Sequence, residues 1–245
     1  MTMVTQHATT PAGKPGPIPP LRNGDRLTAE EYERRYDAMR GLKKAELING
    51  VVYMPSPVIF EDHGGPHFDL IFWLGYYRAY TAGVRGGDNT TLRLPGNNRP
   101  QPDACLFILP SHGGQVRIDV DGYIVGAPEL VGEVAASSEN YDLHDKLEVY
   151  RQFGVREYVV WRVFDREIDW FVLRGGIYER LAVDVSGWYR SEVLPGLWLE
   201  PAALIAGNTA RVLEVSQLGV ADPTHQVFVE RLHLATQSSA AGSPP

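Results

Sequence analysis

The chain has 245 residues, 44% hydrophobic and 22% charged, the make-up of an ordinary globule built as one domain with extensions or two small domains. Its formal net charge of −7 argues against a protein that coats nucleic acid nonspecifically, since such binding rests on Lys and Arg neutralising phosphates. A single cysteine, Cys105, excludes an internal disulfide framework. With no apolar run of about 18 residues and no signal-peptide pattern, no membrane span and a cytoplasmic location are expected.

In chain order, residues 1–26 begin rich in Thr, Pro, Gly and Ala and are expected to be disordered. Thr28 can cap a helix, with Glu31 three places on completing a capping box. Asn49-Gly50 separates the apolar runs Ala45-Glu46-Leu47-Ile48 and Val51-Val52-Tyr53-Met54, a strong hairpin signal. Residues 67–82 show helical spacing through Phe68, Ile71, Leu74 and Tyr77 or Arg78. Thr90–Leu94 reads as a short strand, and Gly96-Asn97-Asn98 turns the chain into an apolar strand that begins after Asp103. Residues 111–128 look irregular, with a short hairpin around Asp121-Gly122. A second apolar strand contains Glu133, and a helix over 143–153, ended by Gly154, carries Leu143, Leu147 and Tyr150 as its stripe. Residues 157–183 read as an antiparallel meander at the sheet edge. Residues 201–206 and 209–235 are predicted helical, with Phe228, Leu232 and Leu234 making apolar contacts. Residues 236–245 read as a loose tail.

Two carboxylates and one ammonium stand out. Asp103 lies at the mouth of one apolar strand and Glu133 within the other, where an acid is costly unless a cation or donor meets it. Lys146 falls about 60° from Leu143 around its helix, on the flank of the apolar stripe, where it can lean over the sheet. Such a trio could hold a divalent ion and activate water. The competing account is a structural ion cluster in which the lysine alone neutralises the acids.

Other residues carry weaker signals. His63 and His67 could share a helix face and bind zinc, but Gly64-Gly65-Pro66 between them disfavours continuous helix, so both read as surface or core-edge residues, with a place near the pocket as the lesser alternative for His67. His144 reads as a surface residue. Gly83–Gly87 lacks the Lys-Ser/Thr ending of a phosphate loop, and no Gly-X-Ser-X-Gly is present. Trp161, Trp170, Trp188 and Trp198 are expected to pack the meander or a subunit interface. Arg85, Arg93, Arg99 and Arg117, in or beside loops, are the candidates for phosphate contact.

Several short motifs occur in one order: Glu46-Leu47-Ile48-Asn49-Gly50, Pro102-Asp103-Ala104, Pro128-Glu129-Leu130-Val131-Gly132-Glu133-Val134 and Tyr141-Asp142-Leu143-His144-Asp145-Lys146-Leu147. They are followed by Gly154-Val155-Arg156-Glu157-Tyr158 and Leu194-Pro195-Gly196-Leu197-Trp198-Leu199. The ordered set resembles the Uma-type family of restriction-endonuclease-like proteins, a branch of the PD-(D/E)XK nuclease superfamily. The resemblance implies an α/β restriction-endonuclease-like domain over residues 27–206, a mixed central sheet flanked by helices, with 207–235 as a helical extension. It also implies Asp103 and Glu133 as metal-binding acids for Mg²⁺ (or Mn²⁺), Glu46 as an additional catalytic acid and DNA as substrate. The superfamily motif expects lysine two places after Glu133, where this chain has Ala135; the resemblance moves that role to Lys146. The link Ala136-Ser137-Ser138 also departs from the commoner Ser-Pro-Ser. The expected function is a Mg²⁺-dependent endonuclease. The alternatives are an inactive binding or assembly module that keeps the fold, its aromatic-rich meander covering the face of a homodimer, and a hydrolase of other phosphoesters.

Overall fold

The computed structural model describes residues 17–55, 57–136 and 141–241. The Thr28 hydroxyl accepts from the Glu31 N–H at 3.3 Å and starts helix α1 (Ala29–Ala38). Asn49 and Gly50, at φ 50° and 78°, turn β1 (Glu46–Ile48) back into β2 (Val51–Tyr53). Both central residues at positive φ is what a tight hairpin needs, and Asn and Gly tolerate it. The expected disorder of residues 1–26 does not hold for residues 17–26. There Leu21 is buried in a cluster with Tyr32, Leu47 and Val52, and the Gly24 N–H donates to the Val52 carbonyl. Residues 1–16 lie outside the described residues.

Helix α2 (Gly65–Tyr80) follows a π-turn over Phe60–Gly64, so the chain is helical straight through Gly64-Gly65-Pro66. Pro66 sits in the first turn of α2, where its fixed φ is already helical. That corrects the expectation of a break. Leu70, Trp73, Leu74 and Tyr77 form the buried face, each worth roughly 1.5–3 kcal/mol. Phe68, expected on that face, is 73% exposed.

The next strands are β3 (Val84–Asp88), β4 (Leu92–Arg93), β5 (Ala104–Ile108), β6 (Arg117–Ile118), β7 (Ile124–Val125) and β8 (Leu130–Ala135). A turn over Asp142–Lys146 leads into α3 (Leu147–Phe153), and Gly154 closes it in the left-handed conformation at φ 85°. The meander is β9 (Glu157–Arg162), β10 (Glu167–Arg174) and β11 (Ile177–Arg180), followed by β12 (Tyr189–Arg190) and β13 (Trp198–Leu199). The chain closes with α4 (Pro201–Ile205), α5 (Thr209–Ala221) and α6 (Pro223–Ala241).

The central six-stranded sheet runs β11-β10-β9-β8-β5-β3, parallel only between β8 and β9 and antiparallel elsewhere. The β8–α3–β9 crossover supplies the parallel pair, which a tight turn cannot make. One sheet face packs Leu106, Val134 and Trp170 against Trp73 and the C-terminal helices. The other packs Cys105, Phe107, Val131 and Ala135 against Val149 and Tyr150 of α3.

Residues 209–235, expected as one helix, form two. Pro223 pushes Asp222 out of helical geometry (ψ 138°) and breaks the run. Phe228 and Leu232 are buried as expected, whereas Leu234 is 60% exposed. Helix α6 continues to Ala241, into the expected tail, and residues 242–245 lie outside the described residues. Val212, Phe228 and Leu232 share one core with Trp73, so the C-terminal helices complete the main layer. Among the described residues no helix is long and apolar enough to cross a membrane.

Candidate active site

Strand parity places the acids. Asp103 precedes β5 and takes the parity of Cys105 and Phe107, while Glu133 takes that of Val131 and Ala135 in β8. All four apolar neighbours face α3. The register Ala104↔Gly132 then sets Asp103 against Glu133 across the pair. The Asp103 N–H donates to Glu133 Oε2 at 3.3 Å, and the Val134 N–H donates to Asp103 Oδ2 at 2.9 Å.

Lys146 comes down onto them from the start of α3. Its Nζ lies 2.9 Å from Glu133 Oε1, 3.1 Å from Glu46 Oε2 and 3.3 Å from Asp142 Oδ1. Tyr150, four residues on and thus on the same helix face, donates its hydroxyl to Glu133 Oε1 at 3.1 Å. Glu46 is fixed from behind by the Gln101 N–H at 2.7 Å. The structure therefore brings together Glu46, Asp103, Glu133 and Lys146, the four residues that the sequence marks. Ser137 and Ser138, whose departure from the family pattern was noted, lie outside the described residues.

Four further groups join them that sequence reasoning did not assign. Lys44 Nζ donates to Asp103 Oδ1 at 2.8 Å. His63 Nε2 is 3.2 Å from Asp103 Oδ2, and His67 Nε2 donates to the Asp103 carbonyl at 2.9 Å. Both histidines read as surface or core-edge residues in the sequence because the helix through Gly64-Gly65-Pro66 looked broken. The continuous π-turn and α2 place them one turn apart over the site instead. The fourth is Asp142, expected only to precede a helix, which is buried against Lys146. A helical reading of 63–67 would have found the histidines, but no local signal marks Lys44.

The phosphate-contact assignments change as well. Arg93 pairs with Asp119 at 2.5 Å and with Glu33 at 3.3 Å, and Arg99 also pairs with Glu33, so both are committed to structural ion pairs. Arg85 and Arg117 are exposed. Of the tryptophans, Trp161, Trp170 and Trp198 are buried, and Trp170 meets Trp73 edge-on.

These side chains floor a cleft of about 510 Å³, walled by Tyr53, Pro57, Ile59, Tyr141 and Phe164. Its charge balance is uneven. Four carboxylates (Glu46, Asp103, Glu133 and Asp142) meet two ammoniums, those of Lys44 and Lys146. Burial pushes Glu133 up to about 8, the nearby Asp103, Asp142 and Glu46 charges push the same way, and Lys146 only partly opposes them. Burial also opposes charge on Asp103, yet His63, Lys44 and Lys146 hold it below the usual carboxylate range. Lys146 stays charged: desolvation acts against it, and Glu133, Glu46 and Asp142 outweigh desolvation. Burial and the neighbouring acids thus favour the neutral form of Glu133.

A carboxyl that binds its proton more tightly when folded stabilises the fold below its unfolded pKa and loses that contribution as pH rises through the folded value. For Glu133 the window runs from 4.5 to about 8. Glu157, pushed up to about 7 by burial, acts in the same direction, so the diagnostic is a difference between two proteins. Glu133→Gln is expected to gain thermal stability relative to wild type as pH rises from 5 to 8. Parallel melting curves across that range would show that Glu133 is already ionised.

Among the described residues, no three His, Cys, Asp or Glu side chains form a ready-made metal cage. A small hard cation such as Mg²⁺ does not require one, since one or two carboxylates hold it while waters and substrate phosphate complete the shell. Asp103 and Glu133 offer adjacent hard oxygens at an open cleft, and the buried surplus of negative charge favours a cation. The donor set fits.

A mixed sheet with helices on both faces, bearing acids and a lysine at one end of adjacent strands, defines a restriction-endonuclease-like protein. Residues 29–202 match the family described as "Uma2: Putative restriction endonuclease", and the chain belongs to that family. Among solved structures it is similar to a "putative nuclease belonging to DUF820" from Anabaena variabilis. The likeness has a TM-score of 0.50 at 13% identity, covering 73% of this chain and 99% of that one, and it shows the shared fold. No protein of curated function matches the chain.

Proposed function

We propose that this protein is a Mg²⁺-dependent endonuclease that hydrolyses DNA phosphodiester bonds, with Mn²⁺ as an alternative ion. The observation that carries this is the buried Lys146 ammonium set between Glu133 and Glu46, beside Asp103, on the floor of an open cleft. Asp103 and Glu133 would hold the cation. When bound, it polarises the scissile phosphate and lowers the pKa of a coordinated water.

The chain's own residues supply the rest. Lys146 is held in place by three carboxylates, so its charge is pre-oriented and can stabilise the charge that develops on phosphate at little reorganisation cost. Tyr150 and Glu46 fix the partners of that lysine and keep its stem from swinging. With a cation in place, Glu133 would give up any proton to solvent and serve as the second hard oxygen ligand. The apolar wall of Tyr53, Pro57, Ile59 and Tyr141 limits water around the reacting group.

The purified chain is expected to nick supercoiled DNA or cut oligonucleotides with Mg²⁺ or Mn²⁺ and to stop on chelation. The substrates to compare are single-stranded, double-stranded and branched DNA. One observation favours a second role, that of a non-catalytic binding or assembly module: two lysines already neutralise the acids where a cation would sit. No cleavage of any substrate, together with no heat of Mg²⁺ or Mn²⁺ binding, would establish that module in place of the nuclease.

A further inference from the structure

The two lysines of the site are held very differently. Lys146 has a side chain 4% exposed and pairs with three carboxylates, so leaving its position would strand all three. Lys44 lies in the coil just before β1, has a side chain 21% exposed, and among the described residues forms an ion pair with Asp103 alone. Asp103 Oδ2 is taken by the Val134 N–H and by His63. Asp103 and Lys44 both line the cleft, and among the described residues Lys44 is the partner that Oδ1 has. The oxygen that an incoming cation would need is therefore covered by the less firmly held ammonium.

We propose that Lys44 is a displaceable stand-in cation and phosphate ligand: it holds Asp103 before the metal ion binds and then turns to a substrate phosphate. This inference rests on the nuclease reading and adds a residue to it. A lysine suits the task because its compact charge sits on a flexible four-carbon stem, and a released ammonium at the cleft edge lies within a side-chain length of anything bound over Asp103. Charge bookkeeping points the same way. A divalent ion brings two positive charges to the acids while the phosphate brings negative charge into the cleft, so Lys44 loses one partner and gains another.

The test uses the full chain, wild type against Lys44→Met and Lys44→Arg. Mg²⁺ and Mn²⁺ binding is read by titration calorimetry, and binding of a labelled oligonucleotide by anisotropy with Ca²⁺ present. Lys44→Met removes the competing cation and is expected to bind metal more tightly, by about tenfold, the scale of a half-buried ion pair. The same variant should bind the oligonucleotide more weakly, with the salt slope lowered by about one. Lys44→Arg, which keeps the charge, should retain the slope, and melting curves check that each variant is folded. Equal or weaker metal binding by Lys44→Met, or an unchanged oligonucleotide affinity and slope, would overturn the inference while leaving the nuclease reading intact. Absence of metal binding by the wild type would remove that reading and this inference with it.

Discussion

Lys146→Ala is expected to lower the unfolding free energy by about 3–5 kcal/mol, the cost of removing one partner from a buried ion cluster. Three carboxylates would be left facing one another: Glu133, Glu46 and Asp142 all lie within 3.3 Å of the Nζ that the change deletes. Water cannot easily replace that ammonium, because Lys146 and all three acids are under 9% exposed. Urea unfolding measures the loss, and Lys146→Met separates charge from packing because it keeps most of the stem. If both variants lose under ~1 kcal/mol, the cluster is not held by this charge and protons already do the work. Saturating Mg²⁺ should recover part of the loss for Lys146→Ala, since a cation then meets the same acids. Loss of cleavage in this variant has to be scored on the folded fraction, because fold and chemistry share the residue.

The acids are expected to behave in the opposite way. Asp103→Asn and Glu133→Gln should each reduce metal-dependent cleavage by about 10³-fold or more, since a bound cation supplies several kcal/mol of transition-state stabilisation. Their effect on stability should be small. Burial and the neighbouring acids push the Glu133 pKa up and favour its neutral form, which glutamine reproduces. Asp103→Asn gives up its pairing with Lys44 but keeps a side-chain oxygen for the Val134 N–H, a cost of about 1–2 kcal/mol. Cleavage kinetics beside melting temperatures separate the two properties. Undiminished cleavage by both variants would remove the mechanism, whatever the melting temperatures show.

The contrast comes from position in the cluster. Lys146 meets three carboxylates at once, whereas Glu133 is one acid among several, and burial and its neighbours oppose its charge. Removing the cation from such a group exposes every acid at once. Removing one acid relieves the others. A single crevice therefore contains one residue whose loss threatens the fold and two whose loss threatens chiefly the chemistry.

Much of this was legible in the residues. The Asn49-Gly50 hairpin, the Thr28 cap, the Gly154 stop and the two apolar strands are local features, and local sterics and hydrogen bonding decide them within a few residues. What tertiary structure decided was everything that depends on one segment meeting another. The register Ala104↔Gly132 sets the acids opposite one another, and nothing near either residue specifies it. Lys44 reaches Asp103 across 59 positions of sequence and His63 across 40, so the chain between them had to fold first. The helix through Gly64-Gly65-Pro66 shows the same limit: local propensity argued against it, while the buried face of α2 and the first-turn place of Pro66 made it stable. Phe68 and Leu234 show it in reverse, apolar residues in helical register whose faces have no core opposite them. Backbone preference acts within a few bonds, so the sequence alone determined most of the elements and marked the acids and the lysine that meet. Burial and charge pairing act through space, so the assembled site belongs to the fold.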